Sequence, residues 1–232
     1  MTAVLGIDSS TPQVAVGLFL DGRLVGRRVA GGRRTGAVLP VAAAELLADE
    51  GLRPADLDAV GVGVGPGPYT SLRVGVMFAR AVGLAVGTPV VGACSLDVVA
   101  RAVDPAGEAF LVAADARRRE VYWARYDAAG RRREGPLVGP PDAVRHAHSD
   151  LRWMDARDAY APDAGVLAAW VAGAMAEGAG VPAVAQVGHG WDAAGGDGSA
   201  GPPVPQALLA PEPLYVRRPD AVVPEHLGGG AA

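Results

Sequence analysis

One pattern of residues occurs twice in the chain and restricts the possible folds more than any other feature. Each copy reads as a short apolar strand ending in aspartate, a polar turn, a second strand and an Asp/Gly turn. The aspartates are Asp8 and Asp115, and in both copies the next strand begins six residues later, at Val14 and at Val121. Internal repeats indicate architecture directly. The pattern predicts two related α/β lobes, and a chance match of short patterns is the alternative.

The connections within each copy follow from turn and helix signals. Asp21-Gly22 predicts a tight hairpin between the second and third strands. Apolar residues at helical spacing predict the helices that follow. They span residues 37–50, 71–86, 95–103 and 165–177.

The repeated pattern and a stretch rich in Gly and Pro divide the chain into three predicted parts. Residues 1–103 form the predicted N-terminal lobe and residues 104–213 the second lobe. A stretch rich in Gly and Pro over 186–213 predicts a long surface loop within that second part. Residues 214–232 form a short closing segment and a tail that is expected to be mobile.

The charged residues exclude several functions. The net charge is −4, which argues against a nonspecific nucleic-acid binder. All 21 basic residues other than histidine are arginine, because the chain contains no lysine. A Schiff-base lysine, a lysine general base and a P-loop lysine are therefore all excluded.

The chain is expected to be cytoplasmic, without a membrane segment. Its single cysteine, Cys94, excludes an internal disulfide and fits a reducing compartment. The start, MTAVLGIDSS, lacks the pattern of a signal peptide. The most apolar stretch, 72–86, contains Arg73 and Arg80 and is predicted to be too short to cross a bilayer.

The stretch GVGPGPYTSLRVG, residues 63–75, resembles a phosphate-binding loop at first sight. The Walker pattern needs a lysine, and the dinucleotide pattern needs a third glycine where Pro68 or Thr70 stands. The stretch therefore predicts a tight turn with a positive φ at Gly65 or Gly67. Thr70 or Ser71 would then cap the following helix.

The helix after this loop carries small residues four positions apart: Gly75, Ala79 and Gly83. Such a stripe lets another backbone approach closely, and most of the remaining circumference is apolar. Two interpretations rank equally from the residues alone. The stripe contacts a partner helix, or the helix lies sandwiched inside its own lobe.

Candidate catalytic and metal-binding residues are few. In sugar-kinase-like and actin-like folds an aspartate placed like Asp8 or Asp115 helps to hold a metal-nucleotide, but a turn residue bonded to its own backbone is the favoured interpretation. The four histidines show no HExxH or HxxxH spacing, and Cys94 is predicted to be a buried thiol. We therefore predict no catalytic residue, no metal and no cofactor. The arginine groups predict solvated charge, with an RNA-facing surface as the lower-ranked alternative.

Five segments together resemble the TsaB (YeaZ) family. They are IDSS near the start, GPGPYTSLRVG, GACSLDVVA, DARRREVYWARY and PLYVRRPDA. The loop departs from the usual GPGSFTGLRIG at Pro68, Tyr69 and Ser71, and no histidine occurs between Thr35 and Leu39, where family members often have one. The resemblance implies an α/β fold of the actin-like, sugar-kinase-like and ribonuclease H-like class, with duplicated lobes.

The resemblance also implies a function. Such a chain is a non-catalytic scaffold that activates a TsaD-like catalytic paralogue, with a TsaE-like ATPase as a further partner. The complex attaches a threonylcarbamoyl group to N6 of the adenosine beside the anticodon, in tRNAs that read codons starting with A. The chain alone is expected to be a homodimer and to meet tRNA only indirectly. The alternative is an ATP-binding kinase-like enzyme or a metallopeptidase-like paralogue.

By resemblance, the partner interface lies on the helices 37–50 and 71–86. The residues expected to contact the partner are Val38, Val41, Leu46, Leu72, Gly75, Val76, Ala79, Val82 and Gly83. The loop residues expected to shape this interface are Gly65, Pro66, Gly67, Tyr69, Thr70 and Arg73.

Overall fold

The computed structural model describes residues 1–31, 35–103, 106–156, 162–178 and 208–216. Its strands are β1 (Ala3–Asp8), β2 (Gln13–Leu20), β3 (Arg23–Gly31), β4 (Ala59–Gly63), β5 (Val90–Ala93), β6 (Phe110–Asp115), β7 (Val121–Tyr126), β8 (Arg132–Gly139) and β9 (Arg152–Asp155). Its α-helices are α1 (Thr35–Asp49), α2 (Tyr69–Val86), α3 (Ser95–Ala102), α4 (Pro141–Ala147) and α5 (Ala164–Ala176), and Pro54–Asp56 form a short 3-10 helix.

The first sheet contains five strands in the order β3-β2-β1-β4-β5. Strand β2 runs antiparallel to both of its neighbours, whereas β4 and β5 run parallel to β1. The predicted hairpin at Asp21-Gly22 is confirmed, because these residues have φ values of 47° and 87°. Two successive left-handed residues are what a tight hairpin turn between twisted strands requires.

The second sheet repeats the first in shorter form. Its order is β8-β7-β6-β9, with two antiparallel pairs followed by one parallel pair. In both sheets a helix lies between the third and fourth strands in chain order, α1 in the first and α4 in the second. The duplication predicted from Asp8 and Asp115 is therefore confirmed. Strands β8 and β9 and helix α4 were not predicted.

Helices cover both faces of the first sheet. Alternate residues of β1, such as Leu5 and Ile7, pack with the buried side chains of α1 and α2. Val4 points to the other face, where it packs with α5. The period of two along the strand accounts for this division. The prediction assigned residues 104–213 to the second lobe, but α5 packs on the first sheet against β1, β2 and β4.

Glycines in three strands allow α5 to approach the sheet closely. A Cβ atom at Gly6 or Gly17 would collide with the backbone of the first turn of α5. At Gly61 it would meet Val171 and Leu167 of the same helix. Small residues at these positions bring the helix backbone near the strands, which larger side chains would prevent.

Helix α2 begins two residues earlier than predicted, at Tyr69. Pro68 occupies the N-cap position, and no side chain caps the helix there, so the predicted cap by Thr70 or Ser71 is wrong.

Helix α2, with 18 residues, is long and apolar enough to cross a membrane, by length and composition only. Length therefore does not exclude a span, contrary to the expectation. One face of the helix packs against the chain's own sheet.

The segment 208–216 returns to the first sheet. Leu209 forms an isolated antiparallel bridge with Gly92 of β5, with N–O distances of 2.7 Å in both directions. The rest of the predicted 186–213 loop, and the tail from residue 217 onward, lie outside the described residues.

Candidate functional site

Asp8 lies at the end of β1, and its carboxylate accepts three hydrogen bonds. One carboxylate oxygen, Oδ1, accepts from the Ser10 amide at 2.8 Å and from Ser10 Oγ at 2.6 Å. The other oxygen accepts from Ser95 Oγ at 2.7 Å. The first of these bonds is the predicted turn interaction with the aspartate's own backbone. Asp115 makes the same turn, accepting from the Arg117 amide at 2.9 Å.

Asp8 is buried, and its surroundings shift the pKa of its carboxyl. The residue is 2 % exposed, and this desolvation raises the pKa of its carboxyl above the ordinary value. The hydrogen bonds from Ser10 and Ser95 favour the charged form and oppose that shift. The Asp8 side chain is therefore held inside the protein by neutral donors. The bond from Ser95 connects β1 to the start of α3, and the two bonds from Ser10 hold the turn that follows β1.

The glycine-rich loop packs against the turn that follows Asp8. Gly65 has φ of 100°, which confirms the predicted left-handed residue. A Cβ atom at Gly63 would collide with Asp8 Oδ2, and one at Gly67 would collide with the Ser10 carbonyl. The Gly65 amide donates to Ser95 Oγ at 3.2 Å. The glycines thus allow close contact with the chain's own turn, a role that the spacing alone did not reveal.

Three exposed or half-buried side chains join the glycine-rich loop and the start of α2 to the segment 208–216. The Arg73 guanidinium lies 3.9 Å from the ring centroid of Tyr69 and donates to the Tyr215 hydroxyl at 2.6 Å. The two tyrosine rings stack with their centroids 5.3 Å apart. Beside them, the Leu214 amide donates to the Val64 carbonyl at 2.7 Å. We call Tyr69, Arg73 and Tyr215 the tyrosine clamp.

Six of the nine residues predicted to contact a partner are buried within the chain. They are Leu46, Leu72, Gly75, Val76, Ala79 and Gly83. A Cβ atom at Gly75 would lie 2.1 Å from Ser9 Oγ, and one at Gly83 would lie 2.2 Å from Val90 Cγ2. The stripe of small residues therefore faces the chain's own first lobe. Between the two interpretations that the sequence left equal, the structure supports packing within the lobe for this stripe.

The opposite sides of α1 and α2 carry large exposed apolar side chains. Val41 is 55 % exposed, Met77 60 % and Leu84 88 %. Val38 and Val82, also predicted to contact a partner, are half-buried. The two helices pack against each other, so these side chains lie on neighbouring elements. We call Val41, Met77 and Leu84 the α1/α2 surface. Exposed apolar groups on adjoining helices are typical of protein–protein contacts.

A pocket of about 130 Å³ opens beside the polar edge of β2. The residues lining it include the polar residues Asp8, Thr11, Gln13, Arg27, Arg28 and Asp163. Both arginines already have partners, since Arg27 Nη1 donates to Asp163 Oδ2 at 2.6 Å and Arg28 pairs with Asp49. Their positive charges are therefore largely neutralised within the protein.

A buried ion pair lies in the second core cluster and was not predicted. Asp97 of α3 is fully buried, and Arg132 Nη2 donates to its Oδ2 at 3.1 Å. The Tyr126 hydroxyl donates to Asp97 Oδ1 at 2.8 Å. Burial raises the pKa of Asp97, and Arg132 and Tyr126 oppose this shift. The one available sequence signal was an aspartate inside the apolar stretch SLDVVA.

The predicted buried thiol is confirmed, because Cys94 is fully buried. Desolvation raises its pKa to about 12, so the reactive thiolate is strongly disfavoured. Among the described residues, no three His, Cys, Asp or Glu side chains come together as a metal-ligand set.

Comparisons with known proteins identify relatives of the chain in sequence and in fold. The family model described as TsaD, tRNA N6-adenosine threonylcarbamoyltransferase, matches residues 32–147, half of the chain. An uncharacterized protein of Mycobacterium tuberculosis (strain ATCC 25618 / H37Rv) is 48 % identical over 141 residues, covering 60 % of this chain and 65 % of that protein. The chain thus spans just under two thirds of the length of this curated relative.

Two further comparisons carry descriptive names. The tRNA threonylcarbamoyladenosine biosynthesis protein TsaB of Escherichia coli (strain K12) is 32 % identical over 126 residues, which is 53 % of this chain and 54 % of that protein. Among solved structures, YeaZ from Pseudomonas aeruginosa matches with a TM-score of 0.64 and 26 % identity. That match covers 78 % of this chain and 95 % of the solved one.

The two sheets with repeated strand order, joined by helices, define an α/β protein of the actin-like and sugar-kinase-like class with duplicated lobes. The fold class predicted from the sequence is therefore confirmed. Within that class, the family match and the similarity to TsaB and YeaZ decide the assignment. The chain belongs to the TsaB (YeaZ) family.

Proposed function

We propose that the chain is a non-catalytic subunit that pairs with a TsaD-type catalytic protein and supports formation of threonylcarbamoyladenosine in tRNA. Membership of the TsaB family supports the pathway, since the Escherichia coli relative is named for biosynthesis of this modification. The partner is a TsaD-type protein, in keeping with the related family model over residues 32–147.

The bonding of Asp8 carries the non-catalytic part of this proposal. An aspartate at the end of the first strand would have to direct oxygens outward to help hold a metal-nucleotide. Here its oxygens accept three hydrogen bonds from Ser10 and Ser95, and Gly63 lies directly against Oδ2. Binding a metal through this carboxylate would require breaking bonds that hold the loop, β1 and α3 together.

The α1/α2 surface is the proposed site of pairing. Burying a side chain such as Leu84 or Met77 contributes about 1.5–3 kcal/mol relative to leaving it exposed. The buried stripe at Gly75, Ala79 and Gly83 seats α2 on the sheet and so fixes the position of its exposed side. The loop residues before α2 fix where the helix begins.

A pairing experiment tests the proposal. The variant Met77→Glu/Leu84→Glu places two charges on the α1/α2 surface, where both native side chains are exposed, so the chain is expected to fold normally. Sedimentation with the purified TsaD-type paralogue is expected to show pairing weakened by a hundredfold or more, from about 2 kcal/mol per lost apolar side chain. Ala176→Glu, at the exposed end of α5 on the opposite face of the sheet, is the matched control and is expected to pair normally.

The same variants are then assayed in the reconstituted system with a TsaE-type ATPase, which belongs to the proposal as a further partner. Loss of pairing is expected to abolish tRNA modification in parallel. Normal pairing by Met77→Glu/Leu84→Glu would show that another surface is used.

The proposal also includes self-pairing of the isolated chain through the α1/α2 surface. It further includes a cytoplasmic location of the protein.

The competing enzyme hypothesis predicts a different measurement. An ATP-binding enzyme would bind ATP in the micromolar range as an isolated chain, and Asp8→Asn would remove that binding. We expect calorimetry to show no such binding. Circular dichroism checks that the Asp8→Asn chain is folded. The folded variant is expected to support modification of tRNA by the catalytic partner.

A further inference from the structure

The turn between β6 and β7 has an unusual backbone for its sequence. Arg117, Arg118 and Arg119 have φ values of 62°, 53° and 61°. All three are exposed, whereas Ala116 before them is buried. Left-handed conformations are unfavourable for residues with a Cβ atom and normally occur singly, at glycine or asparagine. Three successive arginines in this region are therefore a strained arrangement.

Hydrogen bonds at the base of the turn enforce this conformation. The Ala116 amide donates to the Glu120 carbonyl at 3.0 Å, and the Glu120 amide donates to the Arg117 carbonyl at 2.9 Å. Asp115 Oδ1 accepts from the Arg117 amide at 2.9 Å. The hairpin below is paired up to Asp115 and Val121. The shape of the turn thus belongs to the fold and does not depend on arginine.

Glycine would be the least strained residue at each of these positions. Arginine instead provides three guanidinium groups within three residues, opposed locally by the carboxylates of Asp115 and Glu120. The Arg117 Nη1 atom lies 3.7 Å from Asp115 Oδ2, which is a loose ion pair. Strained residues that a fold does not require tend to occur where their side chains have a function. Planar guanidinium groups bind phosphate oxygens well, often through two hydrogen bonds at once.

We propose that the turn Arg117–Arg119 contacts the phosphate backbone of the tRNA while the chain is paired with its catalytic partner. This inference rests on the proposed function and adds a direct RNA contact to it. An RNA backbone suits the site better than a free nucleotide, because the three arginines stand on an exposed turn and nucleotides bind in concave pockets. The turn has no aromatic residue for base stacking, so the contact is independent of base sequence.

The double variant Arg118→Gly/Arg119→Gly tests this proposal sharply. It removes two charges and also relieves two strained positions, so the midpoint of thermal unfolding is expected to be no lower than that of the wild type. The preformed complex with the TsaD-type protein is titrated with an unmodified tRNA that reads an A-starting codon, by fluorescence anisotropy. The dissociation constant is expected to rise about tenfold. The slope of log affinity against log salt concentration is expected to fall by the amount that corresponds to about one to two lost phosphate contacts.

Two matched variants separate local contact from net charge. Arg23→Gln/Arg53→Gln removes two charges from exposed positions of the first lobe and is expected to leave tRNA affinity within about twofold. Arg118→Lys/Arg119→Lys keeps the charge without the planar fork, so it is expected to weaken tRNA binding, but less than the glycine variant does.

The outcomes are distinct. Unchanged tRNA affinity in the glycine variant would overturn the inference, as would an equal loss in Arg23→Gln/Arg53→Gln. Sedimentation of each variant with the partner reports on pairing separately, so a failure of the proposed function is seen there. If no pair forms, the same titration with the isolated full-length chain decides, and no difference between variant and wild type overturns the inference.

Discussion

Single glycines determine how closely the layers of this molecule approach each other. At Gly75 of α2 a Cβ atom would lie 2.1 Å from Ser9 Oγ, beside the turn that follows Asp8. At Gly173 of α5 no atom lies within 4 Å of the corresponding position. The two glycines occupy helices of the same fold but differ in whether the space for a side chain exists.

Alanine substitutions at these glycines are expected to have opposite effects. Gly75→Ala forces α2 away from the turn and should reduce the free energy of unfolding by about 1–3 kcal/mol. Gly173→Ala adds a residue of higher helix propensity on an exposed face and should raise it by about 0.5–1 kcal/mol. Urea denaturation of both variants measures this difference. A Gly75→Ala variant with a free energy of unfolding no lower than that of the wild type would show that α2 can shift without cost.

Asp127 in the turn between β7 and β8 provides a test of pH dependence. Hydrogen bonds from the Arg131 backbone, together with the nearby Arg133 side chain, lower the pKa of Asp127 to about 2. Since the folded pKa lies below the unfolded value near 3.8, this carboxylate stabilises the protein above pH 4. That contribution is lost as the pH falls from about 4 towards 2.

The variant Asp127→Asn keeps an oxygen for the backbone bonds but removes the charge. Its stability is expected to vary less between pH 4 and pH 2 than that of the wild type. Thermal unfolding across this range measures the difference. An unchanged slope in Asp127→Asn would contradict the assigned role.

Among the elements, the segment 208–216 depends on contacts far away in sequence. It is joined to the first sheet by the Gly92–Leu209 bridge and to the glycine-rich loop by the Leu214 amide. The tyrosine clamp adds a stacked pair and a guanidinium between Tyr69 and Tyr215. The clamp therefore couples the order of this segment to the start of α2.

Tyr215→Ala is expected to loosen the segment while leaving the two sheets intact. Hydrogen exchange at the Leu214 and Leu209 amides should accelerate about five- to thirtyfold, because a stacked ring and a cation–π partner contribute about 1–2 kcal/mol together. Exchange at strand β1 should be unchanged. Tyr215→Phe keeps the ring but not the hydroxyl and is expected to give a smaller acceleration. Identical protection in Tyr215→Ala and wild type would show that the clamp does not hold the segment.

The elements also show which features local sequence patterns could predict. The hairpin at Asp21-Gly22 and the first-lobe helices have strong local signals, and the structure confirms them. Strands β8 and β9 could not be predicted because their short polar sequences become strands by pairing with β7 and β6. The buried side of α2 was ambiguous because the helix is apolar nearly all round. The bond between Asp8 and Ser95 left no trace in the sequence because the two residues are 87 positions apart and meet only in the folded chain.

For the whole molecule, α3 is the element that connects the two sheets. It packs on the second sheet, where Asp97 meets Arg132 and Tyr126. On its other side Arg101 lies 3.8 Å from the ring centroid of Trp170 in α5, which itself packs on the first sheet. An ion pair with both members buried resists rearrangement, because separating the charges leaves each without solvent. The pair thus fixes α3, and with it the junction of the sheets.

Removing one or both charges of the Asp97–Arg132 pair measures this connection. Arg132→Leu leaves the Asp97 carboxylate buried without its ion-pair partner and is expected to lower the free energy of unfolding by about 3–5 kcal/mol. Burial already raises the pKa of Asp97, so the folded state holds its proton more tightly than the unfolded state. The loss in Arg132→Leu should therefore increase as the pH rises above 4. Arg132→Leu/Asp97→Asn removes both charges and should recover much of the stability, and it should not show the increasing loss above pH 4 that is expected of Arg132→Leu. Arg133→Leu, which breaks an exposed pair with Asp127, is the control and should lower the free energy of unfolding by less than about 1 kcal/mol.

If the Arg132→Leu variant and the double variant lose equal stability at pH 7, the buried pair does not fix the junction of the sheets. Packing of α3 alone must then do so.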